Sequence, residues 1–172
     1  MPRMLADARK TLWLLDTLPE DPRNPDASEL NAGENASCSV GKAGFNLGAG
    51  APNTESDGAL CDEGDLQTPT SKTYEAAMNV YRFYAPETGQ IDDEEDFLFQ
   101  ALKDFGSEVI LALRDGGKMY DADAEGGDEV SIYVLTAGGM GRSTDTGGYQ
   151  KRVAHVTVTR AFEDVIVASE TP

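Results

Sequence analysis

The sequence predicts a mainly β protein: an antiparallel β-sandwich or barrel with one flanking α-helix, about 92–105, and a long loop, about 45–71, in a single domain spanning 1–172. Three observations carry that expectation. Apolar residues alternate with period 2 in six or seven short runs. Only one segment shows the i, i+3, i+4 stripe of an amphipathic helix. Helices do not alternate with the strands, as the crossovers of a parallel sheet would require. A length of 172 residues suits one domain, and 40% hydrophobic residues supply a core.

The elements follow in order. Residues 1–10 read as an N-terminal arm, and Thr11–Leu15 (TLWLL) is a short apolar strand with Trp13 as its largest group. Residues 16–36 carry Pro19, Pro22, Pro25 and six acids, and read as an irregular connection. Ser37–Phe45 (SCSVGKAGF) is a weak strand interrupted by Gly41 and Gly44. From Asn46 to Ser71 the chain is rich in Gly, Pro and Asp, and a loop of that length marks a functional or disordered segment. Thr73–Tyr84 (TYEAAMNVYRFY) is a strong strand whose apolar face switches after Val80, which predicts a bulge or burial on both faces.

Asp92–Phe105 (DDEEDFLFQALKDF) is the predicted helix. Asp92 can cap it with Glu95 in capping-box spacing, the acids suit the positive end of the dipole, and Lys103 suits the other end. Phe97, Leu98, Ala101, Leu102 and Phe105 form its stripe, and Gly106 ends it. Glu108–Arg114 (EVILALR) is nearly continuous in apolar residues and should be covered on both faces. Val130–Ala137, Gln150–Thr159 and Phe162–Ala168 complete the strands. Val109, Leu111, Leu113, Val156, Val158 and the helix stripe are expected to be buried together.

Composition removes several classes of function. Fourteen basic against 31 acidic side chains give a net charge of −17, which opposes phosphate-based DNA or RNA binding and an anionic membrane surface. The uncharged run near the start is too short for a secretory segment or a membrane span. A soluble protein in a reducing cytoplasm is expected. Cys38 and Cys61 make no disulfide framework and read as small buried hydrophobes, with pairing left open.

The chemistry-bearing motifs are weak. Asp121, Asp123, Glu125 and Gly126 match positions 1, 3, 5 and 6 of a calcium loop, but position 12 is Ile132 where a bidentate Glu is needed, so a solvated turn is the better account. Asp92–Asp96 lie on consecutive positions, cannot converge, and read as a solvated helix start. Gly138–Gly141 (GGMG) lacks the Lys-Ser/Thr of a phosphate loop. His155 shares a strand face with Thr157 and Thr159, opposite Ala154, Val156 and Val158, and reads as a surface or interface residue. The expectation is a non-enzyme with no catalytic residue, no cofactor and no metal site. Arg3, Arg9 and Lys10, and later Lys151, Arg152 and Arg160, fit inter-subunit charge partners for acidic surface on a neighbouring copy.

Taken in order, TLWLL, PDASELNAGENASCSV, a long loop ending in ALCDEGDLQTP, TYEAAMNVYRFY, IDDEEDFLFQALKDFG, EVILALR and VSIYVLTAGG resemble the major tail tube proteins of long-tailed, siphophage-type bacteriophages, particularly those of actinobacteria. The resemblance implies a structural virion protein that forms hexameric rings stacked into a tube. The tube would be a negatively charged conduit through which genomic DNA passes during ejection without specific binding. Implied partners are further copies of itself and the tape-measure, tail-tip and tail-terminator proteins, with no membrane; assembly would occur in the host bacterial cytoplasm and end in the virion tail. Loop 45–71 would reach neighbouring subunits, with Phe45, Leu47 and Leu60 buried there. Trp13 would act in the N-terminal arm, with a plain core role as the rival. Alternatives are a single-ring tail terminator or connector, or a cytoplasmic β-barrel binding protein.

Overall fold

In the computed structural model, residues 5–58, 61, 64 and 66–169 are described. Their elements are β1 (Lys10–Leu15), α1 (Ala27–Asn31), β2 (Glu34–Asn35), β3 (Asn46–Ala49), β4 (Asn53–Asp57), β5 (Leu66–Ser71), β6 (Tyr74–Tyr81), α2 (Phe97–Leu102), β7 (Glu108–Asp115), β8 (Glu129–Arg142) and β9 (Lys151–Ile166). Seven strands form one sheet in the order β2-β1-β7-β8-β9-β6-β3, and β4 pairs with β5 apart from it. Every pairing is antiparallel. The mainly antiparallel β expectation holds.

β7 shows why the sheet needs cover on both faces. Val109, Leu111 and Leu113 enter one cluster with Leu12, Met78, Val80, Leu98, Leu102 and Leu135. Ile110 and Ala112 point the other way, toward Trp13, Leu15, Leu30, Ile132, Val134 and Val167. Burying each large aliphatic contributes about 1.5–3 kcal/mol, so a strand that feeds two clusters anchors both layers. Leu47 of β3 joins the same cluster as Leu12 of β1, although these strands lie near opposite ends of the order. The sheet therefore curls over one core. Its end strands do not hydrogen-bond, and it is not a closed barrel.

Several boundaries differ from the sequence expectation. The helix is only Phe97–Leu102, not 92–105. Asp92 does accept the Glu95 N–H at 3.4 Å, but residues 93–96 form a turn, and Asp96 is the N-cap, with its side chain committed to Arg82. Phe105 falls beyond the helix end and is 86% exposed, so it leaves the core that Leu98 and Leu102 enter. Phe97, Ala101, Val156 and Val158 are partly buried against that core. The expected strand over 37–45 shrinks to one bridge, Val40 with Val80. A second helix, α1, lies in the stretch 16–36 that reads as irregular; the Glu29 carboxylate accepts the Asp26 N–H at 3.0 Å and closes its start.

The face switch in TYEAAMNVYRFY is the end of β6, not a bulge: Tyr74, Ala76, Met78 and Val80 keep one face, and the strand stops at Tyr81. The two C-terminal strands expected at 150–159 and 162–168 are one strand, β9. A bulge makes the pattern look broken, since Val134 pairs with Arg160 but Leu135 with Val158, which leaves Thr159 extra. A matching irregularity on β8 lies between Ala137 and Met140, where Gly139 has φ +96° and a Cβ on Gly138 would stand 3.0 Å from the His155 carbonyl oxygen. A side chain would be crowded at the first position and strained at the second, so glycine suits both.

Candidate assembly surface

The acidic stretch before α2 is organised by one buried charge. The Arg82 Nε donates to both carboxylate oxygens of Asp96 at 3.0 and 3.1 Å, with the side chains 6% and 0% exposed. Asp96 also accepts the Phe83 N–H and the Gln100 amide, each at 3.1 Å. The Arg82 guanidinium lies 3.6 Å from the Phe99 ring centroid. Thus Asp96 is not part of a solvated helix start, whereas Asp93, Glu94 and Glu95 remain exposed. A strand end, a turn and a helix are pinned by one pair whose acceptor sites are filled, the condition under which a buried ion pair is tolerated.

The predicted charge partners lie at the β8–β9 hairpin. Lys151 forms an ion pair with Asp145, which holds its ammonium pKa above the ordinary lysine value. Arg152 sits directly across the ladder from Arg142, and Arg160 is exposed further along β9. Tyr149, next to this basic base, is 85% exposed and touches Tyr81 edge-on with centroids 6.0 Å apart. Of the N-terminal basic group, Arg9 donates to the Gly117 carbonyl and Lys10 pairs with Asp115 at 2.8 Å, so both are used inside the chain. Arg3 lies outside the described residues.

The segment 45–71 is not a plain loop. β3 pairs with β6, and the Gly50 N–H donates to the Thr73 carbonyl at 2.8 Å, so the two strands continue past their ends as a hairpin. Into it is inserted a second hairpin, β4–β5, whose strands bond to each other. The side chains of 53–56 and 67–71 are exposed. Leu47 is 7% exposed in the chain's own core, and Phe45 is partly buried against the same cluster. Leu60 lies outside the described residues. Trp13 is 4% exposed within β1, in the cluster beneath α1, and is a core residue. Cys38 and Cys61 are free and exposed, contrary to the expectation of small buried hydrophobes.

A family profile described as phage tail tube protein matches residues 1–171. The chain belongs to this family. No curated protein matches it. As a phage tail tube protein it is a structural component of the virion tail, and self-assembly within the tail follows from the family. Among the described residues no helix is long and apolar enough to cross a membrane.

In this tail tube protein the calcium-like stretch has a different centre. The Arg114 guanidinium, 2% exposed, donates to the carbonyls of Met119, Ala122 and Asp123, to Thr11 Oγ1 and to Asp128 Oδ2, at 2.6–3.1 Å. Lys118 adds ion pairs to Glu125 and Asp128, and its ammonium pKa is raised by those hydrogen bonds. Burial pushes the Asp128 carboxyl up, but hydrogen bonds from Lys118, the Glu125 amide and Arg114 outweigh it and hold the carboxyl below its ordinary value. A guanidinium therefore sits where oxygens converge. No group of three or more His, Cys, Asp or Glu side chains among the described residues is placed to hold a metal ion. Sequence reading missed Arg82, Asp96, Arg114 and Arg142. The available signal was a lone arginine at the end of an apolar strand, RFY after TYEAAMNVY and R after EVILAL.

Proposed function

We propose that the protein forms hexameric rings that stack into the tube of a phage tail, a negatively charged conduit for genomic DNA. The exposed β4–β5 hairpin is the observation that carries this reading. An isolated two-stranded hairpin is marginally stable in water, and this one hydrogen-bonds only to itself among the described residues. Its role is to pair with a neighbouring copy, in the ring or in the next ring, with the 45–71 segment reaching across. The net charge of −17 then acquires a purpose, because an acidic wall repels phosphates and lets DNA slide. Arg152 and Arg160 serve as inter-subunit partners. The chain is one domain, carries no catalytic residue, assembles in the host cytoplasm, and meets tape-measure, tail-tip and terminator proteins at the tube's interior and ends.

Negative-stain electron microscopy across a concentration series tests the proposal, with the tail-tip complex added as nucleus. Hollow tubes with a ring repeat, and no shift of duplex DNA at physiological salt, are the expected results. Rings that never stack point to a terminator. A compact monomer in the presence of the nucleus, or tight DNA binding, overturns the proposal.

A further inference from the structure

β6 ends between two segments of opposite charge. On one edge the Arg82 N–H donates to the Gln150 carbonyl at 2.9 Å and fixes the base of the β8–β9 hairpin. On the other edge the Phe83 carbonyl accepts the Asp92 N–H at 3.2 Å and fixes the acidic turn. Backbone groups of successive extended residues face opposite edges, and Tyr81, two residues before Phe83, directs its N–H to Ser39, away from β9. The two segments thus flank one strand end at the same level.

The hairpin base is electrostatically unresolved. Arg142 and Arg152 are direct cross-strand partners, a placement that sets their Cβ atoms about 5 Å apart and is unfavourable for like charges. Neither has an acidic partner among the described residues, and Asp93 and Glu94 have no cationic one. We infer that the Arg142–Arg152 pair of one copy docks on the Asp93–Glu94 turn of the next copy. The inference rests on the tail tube reading and names the acidic surface that meets the basic hairpin. A second copy is the partner because each chain carries both halves of the contact on opposite edges. That arrangement repeats head to tail, and in the ring proposed above its rotation closes. In a chain with a charge of −17, cations without an internal partner are the groups that offset repulsion between copies.

The test uses two charge-reversed full-length chains, R142E/R152E and D93K/E94K, beside the wild type under nucleated conditions. Each variant alone stays folded by circular dichroism and monomeric by light scattering at concentrations where the wild type assembles. An equimolar mixture assembles, because the reversed hairpin of one meets the reversed turn of the other alternately around an even-numbered ring. If a reversal unfolds the chain, Arg142→Gln/Arg152→Gln and Asp93→Asn/Glu94→Gln take its place, and each raises the critical concentration at least about tenfold. Either variant assembling alone like the wild type overturns the inference. So does a mixture of folded variants that stays monomeric, neutral variants with an unchanged critical concentration, or assembly that stops at a two-fold dimer. A wild type that never assembles is a separate failure, and it removes the tail tube reading as well.

Discussion

Asp96→Ala leaves the Arg82 guanidinium, 6% exposed, without its carboxylate. Removing one partner of a buried ion pair costs about 3–5 kcal/mol, whereas replacing both with apolar groups of similar size is often nearly neutral. Urea unfolding of the monomer should therefore show a large loss for Asp96→Ala and a much smaller one for Arg82→Met/Asp96→Leu. Equal losses would mean that the pair adds nothing beyond packing. The turn around Arg114 responds to pH through Asp128. The Asp128 carboxyl is held below its ordinary value in the folded chain. Its contribution is therefore complete above the unfolded carboxylate value, about 4, and is lost as pH falls through the lower folded value. Lys118 acts oppositely, losing its share only as pH rises past the ordinary lysine range. Amide protection in 116–128, corrected for the intrinsic exchange rate at each pH, should fall sharply below about pH 4, and Asp128→Asn should lower it at neutral pH and flatten the dependence. Protection that stays constant through acid in the unaltered chain would exclude this carboxylate as the latch.

Elements differ in how much of their stability is their own. β7 is paired on both sides and buried on both faces, so its amides should be the slowest to exchange in the monomer as well as in the tube. The β4–β5 hairpin is the opposite case. Because Gly50 and Thr73 already bond across its root, a short Gly-containing turn can replace 53–71 without opening the β3–β6 pairing. Such a variant should unfold within about 1 kcal/mol of the parent, since loop length changes stability weakly. It should also fail to form tubes. A variant that loses the fold would place the hairpin in the core, and one that still forms tubes would take it out of the interface. α2 illustrates a third situation: its acidic preface predicts a longer helix, but the helix starts only at Phe97, behind an N-cap Asp96 whose carboxylate is held by Arg82.

At the scale of the whole molecule, the curled sheet leaves two features outward: the exposed hairpin and the charge contrast across the end of β6. Stacked assembly needs surfaces that are not self-complementary, because heterologous contacts propagate while isologous ones close at two. An acidic chain of this kind must offset repulsion between copies with a few well-placed cations, and Arg142 and Arg152 are placed for that at the hairpin base. Interior cations have other duties. Arg82 and Arg114 are consumed within the chain, one pinning α2 and the other filling the 119–128 turn.

Local pattern was enough for several elements. Apolar patterning located β1, β6, β7 and β8, and the continuous apolar run of EVILALR announced a doubly covered strand. The order of motifs also reached the tail tube family that the profile match shows. Tertiary structure decided the rest, since those outcomes depend on partners distant in the chain. A bulge at Thr159 joined two apparent strands into β9, because an extra residue shifts the face without ending the ladder. Phe105 lost its place in the core because α2 stops at Leu102, after which the Gly106 N–H bonds the Ala137 carbonyl on β8 and Ser107 bonds the Ala101 and Asp104 carbonyls. The calcium-like carboxylates turned instead around Arg114, a residue whose role is set by the oxygens that fold around it. Pattern encodes which face of an element is apolar; only the folded chain decides which distant charge that face must accommodate.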